Sequence, residues 1–207
     1  MEQKEKQFVS KALDVFMSYG IKAVTMDDMA RHLGISKKTI YNYVKDKNDL
    51  VKKSLMCQCL SEAEYISGIC TQGLNAIDEM FEISKFISGM LKGVHPSIHY
   101  DLEKYHAEAF KEVMNLHEQN IYKIMSSNLK KGIDEGLYRK DLNIDVITKI
   151  YMKKIDILFD AEVFPPNEIG FDQVYAIMFR YHILGVASPK GAEYVQKKFN
   201  EIKQATI

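Results

Sequence analysis

The sequence predicts an all-α protein in which a small N-terminal helix-turn-helix domain precedes a larger helical domain. Three observations predict it. Apolar residues recur at helical spacing along nearly the whole chain, and no stretch alternates apolar and polar as a half-buried strand does. The run Thr25 to Leu50, TMDDMARHLGISKKTIYNYVKDKNDL, carries the start, turn and stop signals of two short helices joined tightly.

The elements follow in order. The first helix is amphipathic, with Phe8, Ala12, Leu13 and Phe16 on one side and Gly20 beyond its end. Thr25 is placed to cap the second helix, and Asp28 three residues on completes a capping box. Met26, Met29, Ala30 and Leu33 give that helix one apolar face, and the small Ala30 lets its neighbour cross closely. Gly34 falls where a left-handed turn favours a residue without Cβ. Ile35 returns to the core, Ser36 caps the third helix, and Ile40 and Val44 supply its buried stripe.

Beyond this the helices lengthen. The spacing predicts a helix over about Asn48 to Ile69, with Leu50, Val51, Leu55 and Cys59 inward, and another from Ala76 to Leu91. Gly93 and Pro96 break the chain before a shorter helix through Leu102 and Tyr105. Glu108 to Asp134 is a long helix closed by Gly132 and Gly136. Asp145 to Glu162 is helical again, and the prolines at 165 and 166 force an extended link. Phe171 to Val186 is very apolar; Ser188-Pro189-Lys190-Gly191 ends it, and an amphipathic helix runs from about Ala192 to Lys203.

Charge distinguishes the third helix. The chain as a whole has a formal net charge of zero, yet Arg31 to Lys53 holds seven basic residues against Asp46 and Asp49, a local net charge of +5. Lys37, Lys38, Tyr41, Asn42 and Lys45 are left outside the buried stripe, donor-rich and near a helix N-terminus that favours phosphate. Most charge runs are only solvated faces. Here the caps, the Ala30–Gly34–Ile40 skeleton and the Tyr-Asn pair coincide with the charge, which is the footprint of nucleic-acid binding. The expected DNA-binding residues are Thr25, Ser36, Lys37, Lys38, Thr39, Tyr41, Asn42 and Lys47, with Thr25 and Lys47 on phosphates at either side of the groove.

The segment SKKTIYNYVKDKNDL closely resembles the DNA-reading segment of the tetracycline-repressor (TetR/AcrR) family of bacterial transcription regulators. The preceding amphipathic helix and the TMDDMARHLGIS run fit the same family, so the resemblance covers roughly residues 8 to 55. Val44, where the family often has Phe, is a departure confined to the core, and GIDEGLYRKDLN looks like a recurring inter-helix turn of the family. The resemblance implies a DNA-binding domain over residues 1–50 and a helical effector-binding and dimerisation domain over 51–207. It further implies a homodimer formed through the last two long helices, a ligand cavity among the central ones, and a pseudo-palindromic operator.

Composition fits this reading. With 46% hydrophobic and 27% charged residues the chain is of ordinary globular make-up. Met1 to Gln7 is polar and Phe8 to Tyr19 amphipathic, which argues against a signal peptide, and no apolar run approaches the ~18 residues of a membrane helix. Three cysteines, an odd number, suit reduced thiols in a cytoplasm. Cys57 and Cys59 point to different sides of a helix and make a poor metal or redox pair. His95, His99, Glu103 and His106 lie close in sequence, but without a fixed converging set they read as surface or helix-start residues, and no metal or cofactor is expected. No nucleophile elbow, phosphate loop or zinc-protease motif is present, so the chain does not read as an enzyme.

Two further sets of residues are expected to act. Met and aromatic side chains on the central helices suit a small hydrophobic or amphipathic effector: Phe86, Met90, Tyr105, Phe110, Tyr122 and Met125, with His117 and Asn120 as polar anchors. Such stripes are more commonly plain core, and the resemblance is what tips the reading. The helices Asp145–Glu162 and Phe171–Val186 are apolar on more than one face, which calls for burial on both sides. That means either a central position or a subunit interface; the resemblance favours the interface, with Ile150, Ile155, Tyr175 and Met178 as its residues. The alternative of another class is a helical small-molecule-binding protein or enzyme with a vestigial helix-turn-helix.

Overall fold

In a computed structural model the chain is described over residues 3–165 and 167–205, excepting the side chains at 203 and 205. It forms ten α-helices over these residues: α1 Gln3–Tyr19, α2 Met26–Leu33, α3 Lys37–Ile40, α4 Lys47–Cys70, α5 Ala76–Leu91, α6 Ile98–Tyr105, α7 Ala107–Asp134, α8 Ile144–Leu158, α9 Phe171–Val186 and α10 Pro189–Ala205. Among the described residues there is no β-strand, only an isolated bridge between Tyr138 and Ala187. The fold is all-α, as the periodicity predicts.

The helices gather into two compact units. The first holds 1–65 and 93–118, that is α1 to α3, most of α4, α6 and the first part of α7. Its core is built from Phe8, Val9, Ala12, Leu13 and Phe16 of α1, Met29 of α2, Ile40, Val44, and Leu50, Val51 and Leu55 of α4. Ile98, Leu102 and Val113 close it. The first unit thus reaches well past residue 50 and takes in α6.

The second unit holds 66–92 and 119–207. Here α5, α8 and α10 pack against α9, and Phe81 meets Phe179 edge-to-face with ring centroids 5.2 Å apart. A buried polar knot ties α5 to α7. Asn128 Nδ2 donates to Glu79 Oε1 at 2.8 Å and to the Ala76 carbonyl at 3.0 Å, and Lys131 Nζ donates to Glu79 Oε2 at 2.7 Å. The Tyr138 hydroxyl lies 3.0 Å from Asn128 Oδ1. A carboxylate that is only 4% exposed is tolerable because both oxygens are bonded and one partner is a cation.

Local chemistry corrects four expectations. The eighth helix stops at Leu158 rather than Glu162, because the Asp160 carboxylate accepts the amide of Glu162 at 2.9 Å and that of Val163 at 3.4 Å and rolls the chain into a turn. The link that follows is also a turn, with Pro165 O accepting the amides of Glu168 and Ile169; Pro166 lies outside the described residues. Pro189 opens the last helix instead of ending the one before. Ser188 Oγ accepts the Gly191 amide at 3.1 Å, and proline at the first helical position has no amide to leave unpaired. Gly132 does not close α7: a Cβ there would lie 2.1 Å from the Tyr138 ring, so its role is close packing.

Candidate nucleic-acid interface

The helix-turn-helix is assembled from the interactions its residue types favour. Thr25 Oγ1 accepts the Asp28 amide at 3.1 Å while Asp28 Oδ2 accepts the Thr25 amide at 3.0 Å, the reciprocal capping box. The Thr25 hydroxyl also donates to Asp28 Oδ2 at 2.6 Å, and these bonds hold the Asp28 carboxyl below its ordinary pKa. Gly34 ends α2 at φ 64°, ψ 30°, where a side chain would be strained, and the Ile35 amide returns to the Ala30 carbonyl at 3.1 Å. Ser36 then caps α3 by accepting the Thr39 amide at 3.0 Å. Met29 and Ile40 are fully buried beneath the crossing.

What this frame presents outward is largely what the charge pattern suggests. Ser36, Lys37, Lys38, Tyr41 and Asn42 are exposed, Thr39 is half-buried, and Ser36 Oγ lies 2.7 Å from Thr39 Oγ1. Regular helix ends at Ile40; Tyr41 and Asn42 sit on the turn that continues it, with the Asn42 amide bonded to Thr39 O. The Asn42 side chain therefore projects from the end of the reading helix.

The local excess of cations is smaller in space than in sequence. Arg31 pairs with Asp28, Lys37 with Asp27 at 2.9 Å, Lys52 with Glu112 at 2.5 Å and Lys53 with Glu5 at 2.8 Å. Asp27, Asp28, Glu5 and Glu112 all lie outside the window that gives +5. Lys38 and Lys45 are exposed, and their ammonium groups form no ion pair among the described residues, although the Lys45 amide donates to Asp49 Oδ2 at 2.9 Å. The exposed pair Lys37–Asp27, which raises the lysine's pKa by its hydrogen bond, is weakly held and open to exchange for a phosphate. Thr25 and Lys47 stand apart. The Thr25 hydroxyl proton is committed to Asp28, and Lys47 is half-buried with its Nζ 3.3 Å from the Lys22 carbonyl. Burial lowers the Lys47 pKa.

The expected effector residues fall in both units. Tyr105, Phe110 and His117 belong to the first. There Tyr105 lies under the Lys22 ammonium at 4.9 Å, Phe110 meets His99 edge-to-face at 5.3 Å, and His117 Nε2 is 3.4 Å from Glu62 Oε2. Phe86, Met90, Asn120, Tyr122 and Met125 belong to the second. Met125 is buried there in the core, and the Tyr122 hydroxyl donates outward to Asp145 at 2.9 Å. The histidine group does not converge: His95 Nδ1 is 3.0 Å from Ser97 Oγ, His99 Nδ1 is 3.7 Å from Glu103, and His106 is buried separately. Among the described residues no three His, Cys, Asp or Glu side chains are grouped to hold a metal.

On α8 and α9 the expected interface residues divide. Ile150 is exposed, Ile155 and Met178 are half-buried, and Tyr175 is only 5% exposed, a member of the unit's own core. The outward apolar positions that sequence reading missed are Val146 and Ile157 on α8 and Ile177, Tyr181 and Leu184 on α9, with Tyr181 75% exposed. Positions 177, 181 and 184 follow i, i+4, i+7 spacing; that spacing could have picked the face once Val174 and Tyr175 were assigned inward.

Comparison with known proteins agrees with this geometry. The family of bacterial regulatory proteins called the tetR family matches residues 8–53. An uncharacterized HTH-type transcriptional regulator of Bacillus subtilis (strain 168), YhgD, is 24% identical over 165 residues, spanning 77% of this chain and 84% of that protein. A TetR-family transcriptional regulator from Agrobacterium tumefaciens superposes with a TM-score of 0.72 at 12% identity, covering 90% of this chain and 99% of the other. A gamma-butyrolactone receptor (ArpA-like protein) does so with a TM-score of 0.62 at 13% identity, covering 99% and 100%. No described helix is long and apolar enough to cross a membrane. A capped helix-turn-helix with exposed lysines thus lies in the segment, residues 8–53, that matches the tetR family of bacterial regulatory proteins, and the all-helical chain has the fold of TetR-family regulators.

Proposed function

We propose that the protein is a ligand-responsive repressor that acts in the cytoplasm as a homodimer on a pseudo-palindromic operator. The observation that carries this reading is the exposed face of Lys37, Lys38, Tyr41 and Asn42 on a fully capped helix-turn-helix. Asn42 pairs bidentately with an adenine, Lys37 and Lys38 donate to guanine or phosphate, and Tyr41 reaches the backbone. Residues 1–50 read DNA and residues 51–207 dimerise and sense the effector.

Dimerisation is supported by the exposed apolar side chains on α8 and α9, Ile150 and Ile177 among them, which a partner's surface would cover. Two such units can occupy adjacent half-sites only if their reading helices are separated by about 34–36 Å or a multiple of it. A ligand that favours a dimer with the wrong separation therefore releases the DNA, provided it binds that state better by several kcal/mol. The effector is a small hydrophobic or amphipathic molecule; the receptor of similar fold named for gamma-butyrolactone supports a sensory role for this body plan.

The test is salt-dependent binding to the DNA flanking the protein's own gene. A specific complex whose affinity falls steeply with salt is the expected result. Sequence-independent binding alone, or none, would favour a helical carrier or enzyme that keeps the motif without using it.

A further inference from the structure

Lys22, in the turn between α1 and α2, is held from three directions by its own unit. Its amide donates to Asp101 Oδ2 at 2.8 Å, its carbonyl accepts from Lys47 Nζ at 3.3 Å, and its ammonium lies 4.9 Å from the centre of the Tyr105 ring. Asp101 sits on α6 and is 4% exposed. The same oxygen of Asp101 accepts from Ser97 Oγ at 3.2 Å.

The neighbouring contacts make this a fitted joint. The His95 amide donates to the Met17 carbonyl at 2.7 Å, and Gly20 packs so closely that a Cβ would lie 2.9 Å from Ser97 Oγ. His106, 8% exposed and with Nδ1 unbonded, adds an imidazole kept neutral first by burial and then by the Lys47 charge. Asp101 in turn is the largest attractive charge acting on Lys47.

Lys47 is the first residue of α4, just after the reading segment, yet its ammonium points back to a peptide carbonyl. A carbonyl at 3.3 Å is a weak partner for a cation, and a phosphate is a stronger one. We propose that Asp101 is a positioning residue of the DNA-binding surface: through the Lys22 peptide and its own charge it holds the Lys47 ammonium inward, so that DNA phosphate must take this cation from the Lys22 carbonyl. The joint thereby sets how much of the DNA affinity is withheld. This rests on the DNA-binding reading above and adds to it a residue that never touches DNA.

The experiment is a double-mutant cycle with Asp101→Asn and Lys47→Ala, read as affinity for a mixed-sequence duplex across a salt series. Asn keeps an oxygen for the Lys22 amide and removes the charge. Asp101→Asn alone is expected to tighten binding roughly two- to fivefold, the effect of removing one nearby charge from a half-buried cation. Lys47→Ala alone should weaken binding and reduce the salt slope by about one. In the Lys47→Ala background the gain from Asp101→Asn should vanish.

A gain that persists without Lys47 would be a general charge effect and would overturn the proposal; so would a loss of affinity in both backgrounds, the mark of a purely structural role. If the variant fails to fold, the wild-type protein on the same duplex decides. Lys47 Nζ on a phosphate supports the proposal, and Lys47 still on the Lys22 carbonyl refutes it. Wild-type protein that binds no DNA at any salt would instead sink the DNA-binding reading itself.

Discussion

Acid should act on the second unit through His182. This side chain is 6% exposed on α9 and packs edge-on against the Tyr151 ring at 4.7 Å. Burial, aided by the Lys154 charge, lowers its pKa from 6.5 to about 4. The unfolded chain therefore takes up the proton first. Stability is fully present above pH 6.5 and is lost as the pH falls toward 4. At 1.36 kcal/mol per pKa unit the complete loss amounts to about 3 kcal/mol, a large part of the 5–15 kcal/mol that holds a typical domain together. His106, in the first unit, shifts in the same direction and acts likewise on that unit. Proton NMR of the imidazole across pH 7 to 4 measures the His182 pKa directly, and urea denaturation at the same pH values measures the stability. His182→Phe should flatten the stability curve between pH 6.5 and 4. An imidazole that titrates near 6.5 in the folded protein would refute the argument, as would an unchanged slope in the variant.

Four further outcomes follow from named contacts. Asn42→Ala should cost about 1–3 kcal/mol of operator affinity and relax specificity at one base position in a binding-site selection; equal weakening on all sequences would remove Asn42 as a base reader. Ile177→Asp should convert the proposed dimer to monomers in sedimentation, because an unpaired charge buried in an apolar interface costs several kcal/mol, whereas a wild-type chain that sediments as a monomer at micromolar concentration would dispose of the interface. Asn128→Ala strips Glu79 and Tyr138 of a buried partner and should lower stability by about 1–3 kcal/mol in urea titration. Gly132→Ala drives a methyl into the Tyr138 ring and should cost about 1–3 kcal/mol by the same assay; a neutral result would mean that the ring moves aside freely.

The parts of this molecule that were legible in sequence are those set by short-range chemistry. Thr25, Asp28, Gly34 and Ser36 act within three or four residues of themselves, and each makes the bond its position implies. Helices with strong apolar period, such as α5 and α9, carry the limits read from spacing. The errors lie where a single polar side chain outweighs period. Asp160 ends α8 early, and Ser188 starts α10 early. Long-range pairing was less visible. Glu5 and Glu112 neutralise Lys53 and Lys52 across 48 and 60 positions of sequence, and no window of charge counting reaches them. The same limit hid the inward turn of Lys47, which depends on Asp101 of α6. Tyr175 and Tyr181 are equally tyrosine in a linear reading; only the rotation of α9 makes one core and the other surface.

The three cysteines bear on how this protein can be observed. Cys57 and Cys59 are buried, and the Cys70 thiol is pushed up to about 11 by burial and by the neighbouring Glu79 carboxylate. Alkylating reagents attack thiolates, so at neutral pH the native thiols are sheltered. A cysteine introduced at an exposed site such as Lys38 then becomes a selective attachment point for a spin label or fluorophore without first stripping the native ones. In a dimer, two such labels would report the separation of the reading heads, with and without candidate effectors, as a spectroscopic distance.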